Sequence, residues 1–138
     1  MYKTPFITCG GVVASEHYLS SKIGAEILDK GGNAVDAAIA TSLALSVTCQ
    51  NLCGLGGDFF TLYYENESGK VYCLNSSGYA PKKFTIEYLK EKGYASVPDR
   101  GALSITVPGY VYGIFEFHKR FGTLEFSKLI EPSILLAD

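Results

Sequence analysis

The sequence predicts a mixed α/β fold, of the α+β kind, from three neighbouring features. Residues 34–47 are almost all small or apolar except for Asp36 and a few hydroxyl side chains, which predicts a helix buried on most sides. A glycine loop follows at 54–57, where residues without a Cβ can take positive φ or lie against another backbone. Bulky and aromatic residues then predict a strand at 59–65, which pairs with 71–74 across a glycine-containing turn.

Length and composition exclude several classes of protein. The 138 residues, 47% of them apolar, are enough for one core of ordinary size. A net charge of −2 and only two arginines, Arg100 and Arg120, argue against a nucleic-acid partner. The first residues lack the apolar stretch of a signal peptide, and no later run could span a bilayer, so we expect a cytoplasmic protein without a membrane partner. The four irregularly spaced cysteines predict reduced, mostly buried thiols rather than a metal site.

The chain before the buried helix predicts one strand and one helix. Val-Val within residues 10–14 favours a short buried strand. Apolar residues recur on one face from 19 to 28, which predicts a helix capped by Ser15 or Ser20 and ended by the Gly-Gly pair after it. Asn33 is then well placed to cap the buried helix.

The chain after the hairpin predicts a loop, three helical segments and one more strand. In order these are a polar loop at 75–83, a helix at 86–93 capped by Thr85, a strand at 103–106, a helix that opens at 107–109 and ends at Gly122, and a helical segment at 124–138. Pro132 predicts a kink or a break in the last segment.

The residues that could carry chemistry have no recognised motif around them. His17 and His118 stand outside the frames of serine hydrolases and zinc proteases, and we expect one near a helix start and the other on a solvated last turn. The glycine loop lacks the lysine of a phosphate loop and leads into a strand, so no nucleotide cofactor is expected. Asp36 and Asp58 have apolar and glycine neighbours, where a charge needs partners. Each has a structural alternative: the helix dipole for the first, and glycine-loop N–H groups for the second.

Several stretches of the sequence occur in an informative order. They are GGVVAS, ILDKGGNAVDAAIATSLALSV, GLGGDFF, LNSSGYAP, RGALSITVPG, YVYGIFEFHKRFG and LIEPSILLA. In this order they resemble the N-terminal part of the large subunit in the γ-glutamyltranspeptidase family, over nearly the whole chain from Gly10. The most specific part of the resemblance is KGGNAVDAA, followed by the glycine loop and then by TVPG.

The resemblance implies a fold, a reaction and partners. Members are N-terminal-nucleophile hydrolases with a four-layer αββα sandwich, so residues 1–138 are expected to form a single segment of an incomplete sandwich. The N-terminal Thr of the small subunit attacks a γ-glutamyl carbonyl, and the acyl-enzyme passes to water or to an amine. The implied partners are the remainder of the large subunit, the small subunit and a small amide or γ-glutamyl substrate; no cofactor is implied. We expect that Thr beyond Asp138, so no catalytic residue is expected in this chain and the isolated chain should be inactive.

The stretch LNSSGYAP is where the resemblance implies substrate binding. Typical members have L-D-x-R-E-x-A-P here, and their Arg pairs with the substrate α-carboxylate. Members similar to oxamate amidohydrolases have L-N-x-S-G-R-A-P, which this sequence matches better, although Tyr79 replaces the Arg. The predicted substrate-binding residues are Asn75, Ser76, Ser77, Gly78, Tyr79 and Arg100.

Two alternatives stay open at this point. Arg100 either supplies a cation to the substrate or holds its own turn. The chain is either the N-terminal portion of an amidohydrolase or acyltransferase, or a non-catalytic fragment or binding module that retains only this segment of the fold.

Overall fold

The structure, a computed structural model, describes residue 5 and residues 7–138. These residues form helices and a two-stranded antiparallel sheet, as the sequence predicts. The elements are α1 (Tyr18–Asp29), α2 (Ala34–Thr48), β1 (Phe59–Glu65), β2 (Lys70–Ser76), α3 (Ile86–Glu91), a 3-10 helix (Ala102–Ser104), α4 (Tyr110–Phe121) and α5 (Phe126–Ala137).

The chain divides into two compact units. The first runs to Gly54 and resumes at Phe117, so it contains α1, α2, α5 and the end of α4. The second comprises Leu55–Glu116 and contains the β1–β2 hairpin, α3 and the start of α4. In the part of the chain that the structure describes, no helix has the length and apolar character needed to cross a membrane.

Helix α2 is the centre of the first unit. Ile39, Ala40 and Ala44 have no exposed surface, which confirms that this helix is buried on most sides. Both α1 and α5 pack against it. The close approach of α1 depends on Gly24, since a Cβ there would overlap the side chain of Thr41.

The junction between α1 and α2 follows the sequence rules for helix ends. Gly31 has φ 88° just after α1, a conformation that favours glycine. Asn33 caps α2, because its side-chain oxygen accepts hydrogen bonds from the N–H groups of Val35 and Asp36. Asp36 accepts in return from the Asn33 N–H, at 3.0 Å, which completes a capping box. The predicted cap is confirmed.

The predicted cap of α1 is wrong. His17 caps this helix, with its Nδ1 accepting from the N–H of Leu19 at 3.3 Å. Ser20 lies inside the helix and is fully buried, with its hydroxyl 2.9 Å from that of Thr48 on α2. Ser15 precedes the cap and donates to the His17 carbonyl. The helix therefore begins at Tyr18, between the two candidate positions.

The hairpin forms as predicted, with a longer second strand. Its register pairs Phe59 with Ser76 at one end and Glu65 with Lys70 at the other. Strand alternation exposes one apolar face. The large side chains on that face are Phe60, Leu62, Tyr64 and Val71, each more than half exposed.

Two predicted strands do not form among the described residues. Residues 10–14 are without regular structure, and Val12 is 61% exposed. At 103–106 the chain has part of a 3-10 helix, followed by residues that belong to no helix or strand. β-Branched residues favour an extended backbone, but a strand also needs a neighbour to accept its hydrogen bonds, and the described residues provide none here.

The predicted break at Pro132 does not occur, since α5 runs continuously through this residue. Proline removes one helical hydrogen bond and crowds the preceding turn. Packing against α2 compensates, because Leu129 and Ser133 on either side of Pro132 are buried.

The four cysteines are free thiols, but the prediction that they are mostly buried is wrong. Cys9 and Cys73 are exposed, and Cys49 and Cys53 are partly buried. Cys73 is exposed because it pairs with Leu62 on the open face of the hairpin.

Candidate functional site

A cavity of about 730 Å³ lies in the second unit beside the end of β2. Five of the six predicted substrate-binding residues line it, namely Asn75, Ser76, Ser77, Gly78 and Tyr79. The remaining lining residues are Val107, Pro108, Gly109 and Tyr112. Arg100, the sixth predicted residue, is not among them. The structure thus joins the predicted loop, 75–79, to a second wall, 107–109, that was not part of the predicted site.

The two walls touch through backbone at two glycines. A Cβ on Gly78 would overlap the carbonyl of Val107, and one on Gly109 would overlap the carbonyl of Ser76. The N–H of Val107 donates to the Tyr79 carbonyl at 3.1 Å. Only glycine permits this approach, so the shape of the cavity depends on both positions.

The predicted loop residues have different roles in the structure. The Asn75 Oδ1 accepts from the N–H of Ser77 at 3.0 Å, which fixes the turn at the end of β2. Ser76 is buried, and its hydroxyl donates to the Gly109 carbonyl at 2.8 Å. Tyr79 is 85% exposed, so its phenol can donate a hydrogen bond to a bound molecule. Ser76 therefore supports the wall, whereas the Tyr79 side chain is free of the wall contacts that bury Ser76.

The glycine loop positions the second wall. The Gly57 carbonyl accepts from the N–H groups of Gly109 and Tyr110, at 3.1 and 2.9 Å. These N–H groups precede and begin α4, where no helical partner is available to them. The loop thereby fixes the helix start that follows residues 107–109.

Two expectations about the glycine loop are wrong. Neither Gly54 nor Gly56 has positive φ, and no described atom outside their chain neighbours lies within 4 Å of where a Cβ would stand. The Oδ1 of Asp58 accepts from the Gly78 N–H at 3.1 Å and from the Thr106 hydroxyl at 3.2 Å, rather than from the loop's own N–H groups. Asp58 directly precedes β1, and the pairing of the two strands brings its carboxylate next to Gly78 and Thr106. The spacing of these residues in the sequence does not indicate this contact.

The lining of the cavity is uncharged. Among the described residues that form it, none is Lys, Arg or His. Hydroxyl, amide and backbone groups are the polar groups available to a ligand. These groups suit hydrogen bonding to an amide or acyl group, and they provide no cationic partner for a carboxylate.

Asp36 belongs to a separate, structural cluster in the first unit. Its carboxylate is fully buried and accepts from the N–H and hydroxyl of Thr123 and from the N–H of Leu124. The prediction that it lies in the first turn of its helix is confirmed. Four donors, including the N–H of Asn33, satisfy a buried charge without any ligand.

His118 lies beside this carboxylate, and its predicted solvated position is wrong. Its side chain is 18% exposed, and its Nε2 is 2.8 Å from the Leu124 carbonyl and 3.9 Å from Asp36 Oδ1. The carbonyl can only accept, so Nε2 carries a proton. The turn at Gly122 folds the next residues back over the ring. Within the described residues, no three His, Cys, Asp or Glu side chains are grouped to hold a metal ion.

The fold of the described residues is that of a known class of hydrolase. It superimposes on the crystal structure of Helicobacter pylori γ-glutamyltranspeptidase with a TM-score of 0.87 and 35% identity, over 98% of this chain and 39% of that one. The protein is thus a mixed α/β member of the N-terminal-nucleophile hydrolases. The family model described as gamma-glutamyltranspeptidase matches residues 20–138. The chain belongs to the γ-glutamyltranspeptidase family.

Two curated relatives agree with this assignment. The glutathione hydrolase-like YwrD proenzyme of Bacillus subtilis is 43% identical over 123 residues, which are 88% of this chain and 23% of that protein. The glutathione hydrolase proenzyme of Pseudomonas aeruginosa is 43% identical over 129 residues, which are 91% of this chain and 23% of that protein. The chain therefore spans about a quarter of the length of these relatives.

Proposed function

We propose that the chain is the N-terminal portion of a γ-glutamyltranspeptidase-like amidohydrolase or acyltransferase and that it supplies one side of the acyl pocket. The observation that carries this proposal is the cavity between residues 75–79 and 107–109. Family membership supports the proposed reaction. The loop that the resemblance links to substrate binding forms part of the lining of this cavity. The substrate class is a small amide or γ-glutamyl compound.

The division of roles follows from what the described residues offer. The cavity provides hydrogen-bonding groups and a defined shape, and no described residue in it combines a nucleophile with a base. We propose that the nucleophile is the N-terminal Thr of a small subunit, whose own α-amine serves as the base. This chain then binds and orients the acyl group, and the other subunit breaks the amide bond.

The proposed protein partners are the remainder of the large subunit and the small subunit. The exposed apolar face of the hairpin supports this proposal, since Phe60, Leu62 and Tyr64 alternate along β1 on one side. Sheets in layered folds bury such a face against another layer.

The cytoplasmic location expected from the sequence is likewise a proposal, and cell fractionation would test it.

A chimera tests the proposed function. In it, this sequence replaces the matching segment of the Pseudomonas aeruginosa glutathione hydrolase proenzyme. We expect the chimera to mature and to hydrolyse a γ-glutamyl anilide, while the pure 138-residue chain shows no turnover.

Turnover by the pure chain would overturn the division of roles. A chimera that folds and matures but stays inactive would favour the alternative, a non-catalytic fragment or binding module. The unmodified relative is the positive control in both cases.

A further inference from the structure

We propose that Asp58 is a positioning residue of the acyl pocket, which holds the two cavity walls in register without contacting the substrate. The inference rests on the proposed function of the cavity. Asp58 does not line that cavity, and no sequence motif gave it this role. Its Oδ1 alone receives both hydrogen bonds that define the brace, from Gly78 and from Thr106.

The brace joins three separate segments. Gly78 belongs to the first wall, and Thr106 directly precedes the second wall. Asp58 itself immediately precedes β1 and follows Gly57, whose carbonyl caps the start of α4. One carboxylate oxygen therefore links the hairpin to both walls, at N···O and O···O distances of 3.1 and 3.2 Å.

The neighbouring contacts make the spacing of the walls sensitive to this brace. Gly78 already touches the Val107 carbonyl so closely that no Cβ fits between them. The two walls are thus in backbone contact at this point, and the hydrogen bond to Asp58 is a second restraint on the position of Gly78. Tyr79, which is exposed and lines the cavity, is the residue next to Gly78. The backbone position from which the Tyr79 side chain projects is thus restrained in part by Asp58.

Asp58 is suited to a test because its removal leaves the buried core intact. It is exposed, as are both hydrogen bonds that it accepts, whereas the buried tie between the walls is made by Ser76 and Gly109. The hydrogen bonds to Asp58 consequently adjust the position of two walls that other contacts already hold together. Loss of the brace should change ligand affinity and local exchange without unfolding the chain.

The first measurement is amide hydrogen exchange by NMR in the 138-residue chain. We expect Asp58→Ala to speed exchange of the Gly78 amide by about three- to tenfold, the range for loss of one exposed net hydrogen bond. Asp58→Asn keeps an acceptor oxygen at the same place, so exchange should stay within about twofold of the original. Thr106→Val should have a smaller effect at Gly78 and Thr106→Ser almost none.

The second measurement is steady-state kinetics of the same variants in the chimera. We expect Asp58→Ala to raise KM for a γ-glutamyl anilide by about three- to tenfold with little change in kcat, and Asp58→Asn to restore KM. Asp99→Ala is the matched control, because it removes the same charge at an exposed position outside the cavity.

The two proposals fail in different ways. If Asp58→Ala leaves Gly78 exchange unchanged, or alters it no more than Asp99→Ala does, the brace is absent and the inference is overturned. If Asp58→Asn behaves like Asp58→Ala in both measurements, the charge rather than the hydrogen bonds matters, which also overturns it. An inactive chimera would count against the proposed function, while the exchange rates still report on the brace.

Discussion

Gly78 and Gly109 determine the candidate site more than any side chain that faces it. Each allows one wall to touch a carbonyl of the other, Val107 or Ser76, where a Cβ could not be placed. The sequence indicated glycine-dependent contacts at residues 54–57 instead, and two of the glycines there stand in open space. Composition locates glycines, but only the tertiary arrangement shows which of them meet another backbone.

Gly78→Ala should therefore damage the second unit. The new Cβ meets a backbone carbonyl that cannot rotate away, so we expect a loss of about 2 kcal/mol or more in the free energy of unfolding. Urea denaturation followed by circular dichroism measures this loss. Gly56→Ala is the matched control and should change stability by less than about 0.5 kcal/mol, since nothing lies near its Cβ position. Equal effects of the two substitutions would contradict the close approach of the walls.

Asp36→Asn should destabilise the first unit. The new amide nitrogen cannot accept hydrogen bonds from the N–H donors that now point at the carboxylate. Some of the buried donors of Thr123 and Leu124 would therefore lose their acceptor. We expect a loss of about 1–3 kcal/mol, the cost of buried polar groups left unsatisfied. Thermal denaturation of the chain tests this value, with Asp29→Asn at the exposed end of α1 as the control. An unchanged melting temperature would mean that the cluster contributes little.

Among the elements, those that satisfy their hydrogen bonds locally were predicted best. The Asn33 cap, the hairpin and the Thr85 cap of α3 each follow from residues that are near one another in sequence. The strands predicted at 10–14 and 103–106 depended on distant partners and did not form. Of the two outcomes predicted for Pro132, a kink or a break, the break was wrong, because the packing of α5 against α2 cannot be deduced from the local sequence.

The short helix α3 should respond to acid through Glu87. A hydrogen bond from the residue's own backbone N–H, and then one from the Thr85 hydroxyl, lower the pKa of Glu87 below its ordinary value of 4.5. A lowered pKa in the folded state means that the ionised form supports the helix above pH 4.5 and that this support is lost as the pH falls through the lowered pKa.

An NMR pH titration measures this effect at the amides of Tyr88 and Leu89. We expect the first-turn amides to shift below pH 4.5, and we expect Glu87→Gln to remove that shift. Glu91→Gln, at the other end of the helix, is the control. A titration midpoint at or above 4.5 for Glu87 would contradict the hydrogen bonds proposed to hold the ionised form.

For the whole molecule, the order of sequence motifs was more informative than any single motif. The family followed from that order, and the mixed α/β class followed from the buried helix, the glycine loop and the hairpin; both are confirmed, by the matched family model and the superposition. The loop at 75–79 lines a cavity in the structure, and its role in substrate binding stays a prediction. So do the role of Arg100, the assignment to the oxamate amidohydrolase-like branch, and the single-segment organisation of residues 1–138.

The second wall and its brace could not have been predicted. Residues 107–109 are separated from the loop by about thirty positions and are brought to it by Gly57 and Asp58, which lie before the hairpin. No periodicity or cap relates these three segments. Their arrangement depends on backbone contacts at glycine, which leave little signal in the surrounding sequence.

The KM of the Tyr79→Arg chimera for a γ-glutamyl anilide tests the central claim most directly. Tyr79 lies at an exposed position in an uncharged cavity, so an arginine there would add a two-pronged partner for the substrate α-carboxylate. Tyr94→Arg, an exposed position that does not line the cavity, is the control. If residues 75–79 form a wall of the acyl pocket, Tyr79→Arg should lower KM about tenfold and the control should not. An active chimera whose KM is unchanged by Tyr79→Arg would contradict the claim.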